Sequence, residues 1–391
     1  MGFYLYTGNK LEKLAELFRE QVYARQADET AWLTPETVVI QTQGMGAWLK
    51  LELAKSAPLA ANLNFPFLNK FIESVLEKAF PDFHESLRYL SKEVMAWRIF
   101  HIFSDHPETF PELNGYFSRD TGEQDLKKYQ LAVKVAGLFD QYQIYHGDML
   151  GNWRRNGGNG WQERLYLELA ESRKSIDRYF NDFLSLTSIP EDAAPKRISV
   201  FGISTMAPVF LQFFVKLAEF RDVHFFYLNP CSGYWSEILS SRQAGSLSRK
   251  TGVERESLMD GNPLLASMGT QGRDFFRLMM ELPELNVTQE TACFEPFRED
   301  SYTMLTALQQ DILDNTVRGR GIKNDFAEPP LPVTPDDRSV TVHNCHSPLR
   351  EVEVLHDRLM ALLQDRSIQP HDIIVMAPDI SVYEHYVNAV F

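Results

Sequence analysis

The chain has 391 residues, 44% of them hydrophobic and 24% charged, with a net charge of −14, the composition of an ordinary globular protein with room for two or three domains. The acidic excess, spread on both sides of Leu331, argues against a surface coated with nonspecific phosphate contacts, although a locally basic channel inside an acidic exterior is compatible with it. No apolar run approaches the ~18 residues of a membrane span, Met1–Tyr6 lacks the features of a signal peptide, and Cys231, Cys293 and Cys345 are too few and too dispersed for a disulfide framework or a zinc site; a cytoplasmic protein with no membrane partner is expected.

In chain order, residues 3–6 read as a strand and Asn9–Tyr23 as an amphipathic helix with Leu11, Leu14, Leu17 and Phe18 at helical spacing. Val38-Val39-Ile40 reads as a buried strand that enters a turn carrying Gly44 and Gly46, followed by a helix through Leu53. This strand–turn–helix is where a nucleotide-hydrolysing α/β protein places its phosphate loop. The chemistry differs, because a P-loop needs Gly-Lys-Ser/Thr at the helix start and Gly46-Ala47-Trp48 stands there, with Lys50 a turn late. Residues 60–66 read as a short extended segment stopped by Pro66.

From about 67 to 190 strand signals vanish. Helices are predicted over 67–79, 92–103, 125–146 and 162–185, with Gly151–Trp161 as a loop, the pattern of a helical insertion in an α/β domain. In the 125–146 helix Leu131, Val135, Leu138, Tyr142 and Tyr145 form the predicted buried stripe, while Gly137, Asp140, Gln141 and Ile144 fall on a second face, where a glycine permits close approach of a ligand or another backbone. A solvated face is the plainer reading.

Strand signals return at 197–204 and 223–228, around a helix near 207–219. Continuous apolar runs of this kind suit strands covered on both faces. In an NTPase the second catalytic strand ends in Asp-Glu; here Gly202-Ile203-Ser204 and Asn229-Pro230 stand at the tips. Residues 240–260 read as a loop, and Asn262-Pro263 opens a helix through about Leu282. Arg318–Lys323 with Pro329, Pro330, Pro332 and Pro335 reads as a linker. After it, 339–343 and Ile373–Met376 read as strands, and Ser347-Pro348 cap a helix whose stripe is Val352, Leu355, Leu359 and Leu362. A new α/β domain thus begins and lacks most of its body, the expectation for a piece of a longer protein.

Few constellations carry chemistry. His343, Cys345 and His346 have no second cluster to complete a tetrahedral metal site, and Pro378-Asp379 with Glu384 lacks the lysine of a magnesium nuclease, His385 standing there instead. No Gly-x-Ser-x-Gly nucleophile motif occurs. Phe65, Phe67 and Phe71 could stack bases of a single strand but equally suit a core.

Several blocks in one order resemble the RecC family, the gamma subunits of exodeoxyribonuclease V (RecBCD). They are Gln41-x-x-Gly44-Met45-x-x-Trp48-Leu49, Ala60-Ala61-Asn62 with Phe65-Pro66, Leu138-Phe139-Asp140-Gln141-Tyr142, Gly202-Ile203-Ser204, Asn229-Pro230-Cys231, Asn262 to Ser267, Gly272-Arg273-Asp274, Cys345 to Leu359 and Asp372 to Met376. The resemblance implies a superfamily 1 helicase-like (RecA-like) parallel α/β sheet domain whose ATPase residues are lost. It would occupy 1–75 and 191–325, with an inserted all-helical subdomain at 76–190, a linker at 326–337 and the start of a second α/β domain at 338–391. It further implies a scaffold for RecB-like and RecD-like subunits that receives a DNA duplex end and guides the 3′-ended single strand past a Chi-reading surface. No cofactor would be bound by this chain, ATP and Mg being used by the partner subunits. Carried over, Gln41, Leu138, Asp140, Gln141 and Arg197 match the family's strand-reading surface. Gln43, Phe67, Glu73, Gly137 and His146 sit in the same blocks but depart from the residues known there. Because amides and guanidinium groups read base edges by paired hydrogen bonds, and a glutamate at 73 is poor beside a phosphate, strand passage is expected to persist while the recognised sequence differs or is absent. A self-sufficient nucleotide-binding α/β enzyme and an AddB-like helicase–nuclease subunit are the alternatives.

Overall fold

A computed structural model describes residues 1–23, 34–56, 61–117, 124–157, 160–171, 173–254, 261–297, 302–318 and 328–391. The chain divides into two compact units, one of residues 1–296 with 310–330 and one of 297–309 with 331–391.

The larger unit is a mixed α/β structure on a six-stranded sheet in which every pairing is parallel: β1 (Gly2–Gly8), β2 (Glu36–Val39), β3 (Leu63–Asn64), β4 (Arg197–Phe201), β5 (Asp222–Leu228) and β6 (Val287–Ala292), in the order β3-β2-β4-β5-β1-β6. Alternate strand residues point to opposite faces, so two cores form. Phe3, Leu5, Val39, Val200 and Phe225 share one core, and Tyr6, Val38, Phe201 and Phe226 the other.

The second core is closed by α1 (Leu11–Phe18), which widens into a π-helical turn at Arg19–Tyr23, and by α2 (Gln43–Ser56). The first is covered by α3 (Leu68–Ala79) and by elements introduced below. Next come α4 (Phe83–Tyr89), α5 (Lys92–Asp105), α6 (Asn114–Phe117), α7 (Gln124–Tyr145), α8 (Gly147–Asn156), α9 (Trp161–Ala170) and α10 (Ile176–Leu184), whose own core gathers Ile99, Phe103, Phe139, Tyr166 and Leu169. The unit continues through α11 (Pro208–Leu217), α12 (Ser241–Thr251), α13 (Pro263–Met268) and α14 (Thr270–Glu281), and α15 spans Met304–Leu313. Among the described residues no helix is long and apolar enough to cross a membrane.

Several expected elements differ. The two glycines of the β2–α2 connection are not in a turn but in the first turn of α2. Gly151 to Asn156 is helical rather than a loop, because Leu150 and Trp153 of α8 are buried. The expected 162–185 helix is two, α9 and α10, and 263–282 is broken at Gly269 into α13 and α14. Residues 241–251, expected as loop, form α12. On α7 the buried residues are Ala132, Val135, Ala136, Phe139 and Gln143, about one position away from the predicted stripe; Leu138 is 38% and Tyr145 60% exposed. Ala132 and Ala136 share the helical core with Ala96 and Ile99 of α5, so the packed face of α7 carries small residues and is not marked by side-chain size.

In the smaller unit, α16 (Pro348–Leu362) begins as predicted, with Ser347 Oγ accepting from the Arg350 amide and Pro348 in the first turn, and α17 (Glu384–Val390) follows. Of its predicted stripe only Val352 is buried. Residues 339–343 and Ile373–Met376 are not strands, and Val342, Ile374 and Met376 are 90%, 77% and 81% exposed. A strand is defined by its ladder partner, and among the described residues neither segment has one. Residues 319–327 of the basic and proline-rich linker lie outside the described residues, as do the Ala60 of the extended segment and part of the 326–337 linker.

Candidate nucleic-acid interface

The first group of predicted residues sits at one corner of the C-terminal edge of the sheet. Beyond β2, Ile40 makes an isolated parallel bridge to Phe67: the Ile40 amide donates to Pro66 O at 3.1 Å and the Leu68 amide to Ile40 O at 3.3 Å. This bridge fixes where β2 ends and where α3 begins. Gln41 therefore leaves the ladder into solvent, Thr42 receives the Met45 amide on its hydroxyl at 3.3 Å, and Gln43 opens α2. Phe67 immediately precedes α3 and is 40% exposed. Gln41, Gln43 and Phe67 are thus brought together by one backbone junction.

The two glycines of α2 have different surroundings. A Cβ at Gly46 would lie 3.0 Å from Ile40 Cδ1 and 3.1 Å from Phe65 Cγ, whereas at Gly44 it would meet only Thr42 Oγ1 at 3.9 Å. At the neighbouring tip of β4, Gly202 has φ 65°, a left-handed conformation that favours glycine, and a Cβ there would lie 2.8 Å from Met45 Cε at the end of its flexible side chain. The next tip is closed by Asn229, whose Oδ1 accepts from Trp235 Nε1 at 2.9 Å and from the Cys231 amide at 3.3 Å. Lys50 lies along α2 with its Nζ 5.2 Å from the Phe65 ring centroid.

The second group lies on α7. Leu138, Asp140 and Gln141 are exposed, and His146, just past the helix end, packs edge-on against Tyr142 at 5.5 Å. Asp140 stands at the mouth of a cleft of about 370 Å³ that Glu73, Lys92, Gln143, Ile144 and Tyr179 also line. Partial desolvation beside the cleft raises the pKa of Asp140 above the usual carboxylate value although the residue keeps contact with solvent; Lys92 opposes the shift and Glu93 reinforces it. Helix α3 joins the two groups, since Phe67 precedes its first turn and Glu73 faces the cleft roughly 9 Å further along. Glu73 is paired with Lys70 at 2.7 Å, which offsets part of the charge that makes a glutamate there unfavourable beside a phosphate.

Arg197 stands elsewhere. It is the first residue of β4, at the N-terminal edge of the sheet, opposite Gln41. Its guanidinium grips Glu36 of β2, with Nη2 2.6 Å and Nε 3.1 Å from the carboxylate oxygens. Of the Phe set, Phe71 is core, stacked on Phe214 at 5.9 Å, and Phe65 is half-buried between Gly46 and Lys50.

Two residues beside the candidate site carry contacts that the sequence did not signal. Lys92, one residue after the Ser91 cap of α5, reaches the space over Gly137, to which its Cε comes within 3.6 Å of a Cβ position. Gln143, 3% exposed, accepts from the Ile176 amide at 3.3 Å and ties α7 to the start of α10. A polar residue on a helix carries no sequence signal for such a role. No group of three or more metal-capable side chains occurs among the described residues.

A family model for the N-terminal domain of RecC matches residues 3–315. The chain is 32% identical to the RecBCD enzyme subunit RecC of Escherichia coli (strain K12), over 99% of this chain and 38% of that protein. It is 29% identical to the subunit of the same name from Haemophilus influenzae, over 100% of this chain and 39% of that protein, and 29% identical to that of Mycolicibacterium smegmatis, over 91% and 31%. The chain thus spans less than two fifths of the length of these relatives. With the family model covering most of its residues, this chain belongs to the RecC family, whose N-terminal domain it carries.

Proposed function

We propose that this chain is the non-catalytic, strand-guiding N-terminal part of a subunit of a RecBCD-type helicase–nuclease, working in double-strand break repair with RecB-like and RecD-like partners. Its parallel sheet is a helicase-like domain that has lost its ATPase groups, with the helical block as an insertion. Gln41, Gln43 and Phe67 at the sheet corner, and Leu138, Asp140, Gln141 and His146 along α7, line the path of a 3′-ended single strand. The observation that carries this reading is the β2–α2 junction, where amide and aromatic side chains are exposed at the position a phosphate loop occupies in an NTPase, while the nearest lysine, Lys50, is turned onto Phe65. Backbone amides at such a junction suit an anion, and amide side chains suit base edges.

Two outcomes test the reading. The chain alone is expected to show no magnesium-dependent ATP hydrolysis and no saturable binding of labelled ATP, with or without Lys50→Ala; saturable binding would instead favour a self-sufficient nucleotide-binding enzyme. In the full-length gene product co-purified with its genomic neighbours, Gln41→Ala is expected to leave DNA unwinding in place. It should weaken discrimination between preferred and altered strand sequences by about 1–3 kcal/mol, the value of one bidentate amide–base contact, read from sequence-dependent DNA degradation. Unchanged discrimination would remove Gln41 from the reading surface.

A further inference from the structure

Helix α12 follows the C-terminal end of β5 and is fixed at both ends. Ser240 Oγ accepts from the Gln243 amide at 3.4 Å, Gln243 Oε1 accepts from the Ser240 amide at 3.0 Å, and Gly252 closes the helix in the left-handed conformation at φ 75°. Below it, Arg273, 2% exposed, donates to Ile238 O at 2.6 Å and to Gln243 Oε1 at 3.4 Å. Ala244 is the buried residue of the helix. In a protein of net charge −14, α12 carries Arg242, Arg249 and Lys250 and no carboxylate, with Glu237 before it and Glu254 after it.

At ~100° per residue the three cations fall within an arc of about 100°, centred opposite Ala244, and span ~12 Å of the helix axis. All three are exposed, and among the described residues none is in an ion pair. Arg249 and Lys250 in the last turn complement the helix dipole, but Arg242 in the first turn opposes it, so helix stability does not account for the set. We infer that the Arg242–Arg249–Lys250 face of α12 binds the phosphodiester backbone of a single DNA strand. The inference rests on the strand-guiding function proposed above and adds to it a sequence-independent contact, since phosphate contacts position a strand and base contacts specify it.

The test is the salt dependence of binding of a fluorescein-labelled single-stranded oligonucleotide to the full-length protein with its co-purifying partners. Each phosphate neutralised on a single strand contributes about 0.7 to the slope of log K against log salt. Arg242→Gln/Arg249→Gln/Lys250→Gln is therefore expected to lower the slope magnitude by about 2, uniformly across oligonucleotide sequences. Arg242→Lys/Arg249→Lys, which preserves charge, should retain the parental slope. If the parent protein binds no single strand, the strand-guiding function itself fails. If the parent binds and the triple variant has the parental slope, this inference alone is overturned. A parental slope combined with loss of a co-purifying partner would overturn it too, and would assign the face to an acidic protein surface.

Discussion

Replacing Asp177 with alanine is expected to destabilise the larger unit by about 3–5 kcal/mol, the usual result of removing one partner from a buried ion pair. Asp177 is 3% exposed and receives both ends of the Arg154 guanidinium, at 2.7 and 2.8 Å. The same guanidinium donates to Ser175 Oγ at 2.7 Å and to the Tyr166 hydroxyl at 3.4 Å. Burial pushes Tyr166 up to about 12, so it stays neutral at every working pH. The network joins α8, α9 and α10, and Gln143 adds α7 through the Ile176 amide. Without Asp177 the Arg154 charge remains half-buried with hydroxyls alone to solvate it, which is the costly outcome. Urea denaturation measures the loss. Replacing both partners, as Arg154→Met/Asp177→Leu, should restore most of it, since an apolar pair of similar volume is often neutral. A double variant as unstable as the single one would mean that the hydrogen-bonded network itself, and not the orphaned Arg154 charge, accounts for the loss.

Arg197→Ala is the second large effect, expected to cost about 3 kcal/mol, the lower end of the range because the Arg197 side chain keeps 26% of its exposure while that of Glu36 keeps 6%. Glu36 and Arg197 face each other across adjacent parallel strands, where β2 pairs with β4 through Thr37 and Ile198. Truncating the arginine leaves a buried carboxylate with no counter-charge. The prediction separates two roles. If Arg197 belongs to the strand-reading surface, the variant loses sequence discrimination at ordinary stability. If it is a clasp between β2 and β4, thermal and urea midpoints fall while the discrimination per folded molecule stays at the parental level, and the geometry supports the clasp.

The parallel sheet was legible because its central strands are short continuous apolar runs, as at 223–228, and the cap at Ser347-Pro348 because it states the start of a helix in two residues. What escaped did so for identifiable reasons. Strand β6, Val287–Ala292, is a polar edge strand with no buried face, so neither periodicity nor composition marks it. Helix α12 buries one alanine and has no apolar stripe; its signals were the Ser240–Gln243 capping box and the terminal Gly252. On α7 attention to large residues displaced the stripe, because the packed face carries small alanines. Of the proposed site, Gln41, Gln43 and Phe67 were recoverable from one strand–helix junction, whereas the separation of Arg197 from them follows from which end of a strand each occupies, and that depends on the pairing of β2 with β4.

The unequal surroundings of Gly44 and Gly46 give the corner of the sheet a place for a reporter. A side chain at Gly46 would press on Ile40 and the Phe65 ring, but position 44 faces open space within the first turn of α2. A cysteine there would favour the helix slightly over glycine and would carry a fluorophore beside Gln41 and Phe67 without replacing either. Quenching of that dye on adding a single strand would test in real time whether the strand reaches the corner, independently of whether it is unwound, cut or read.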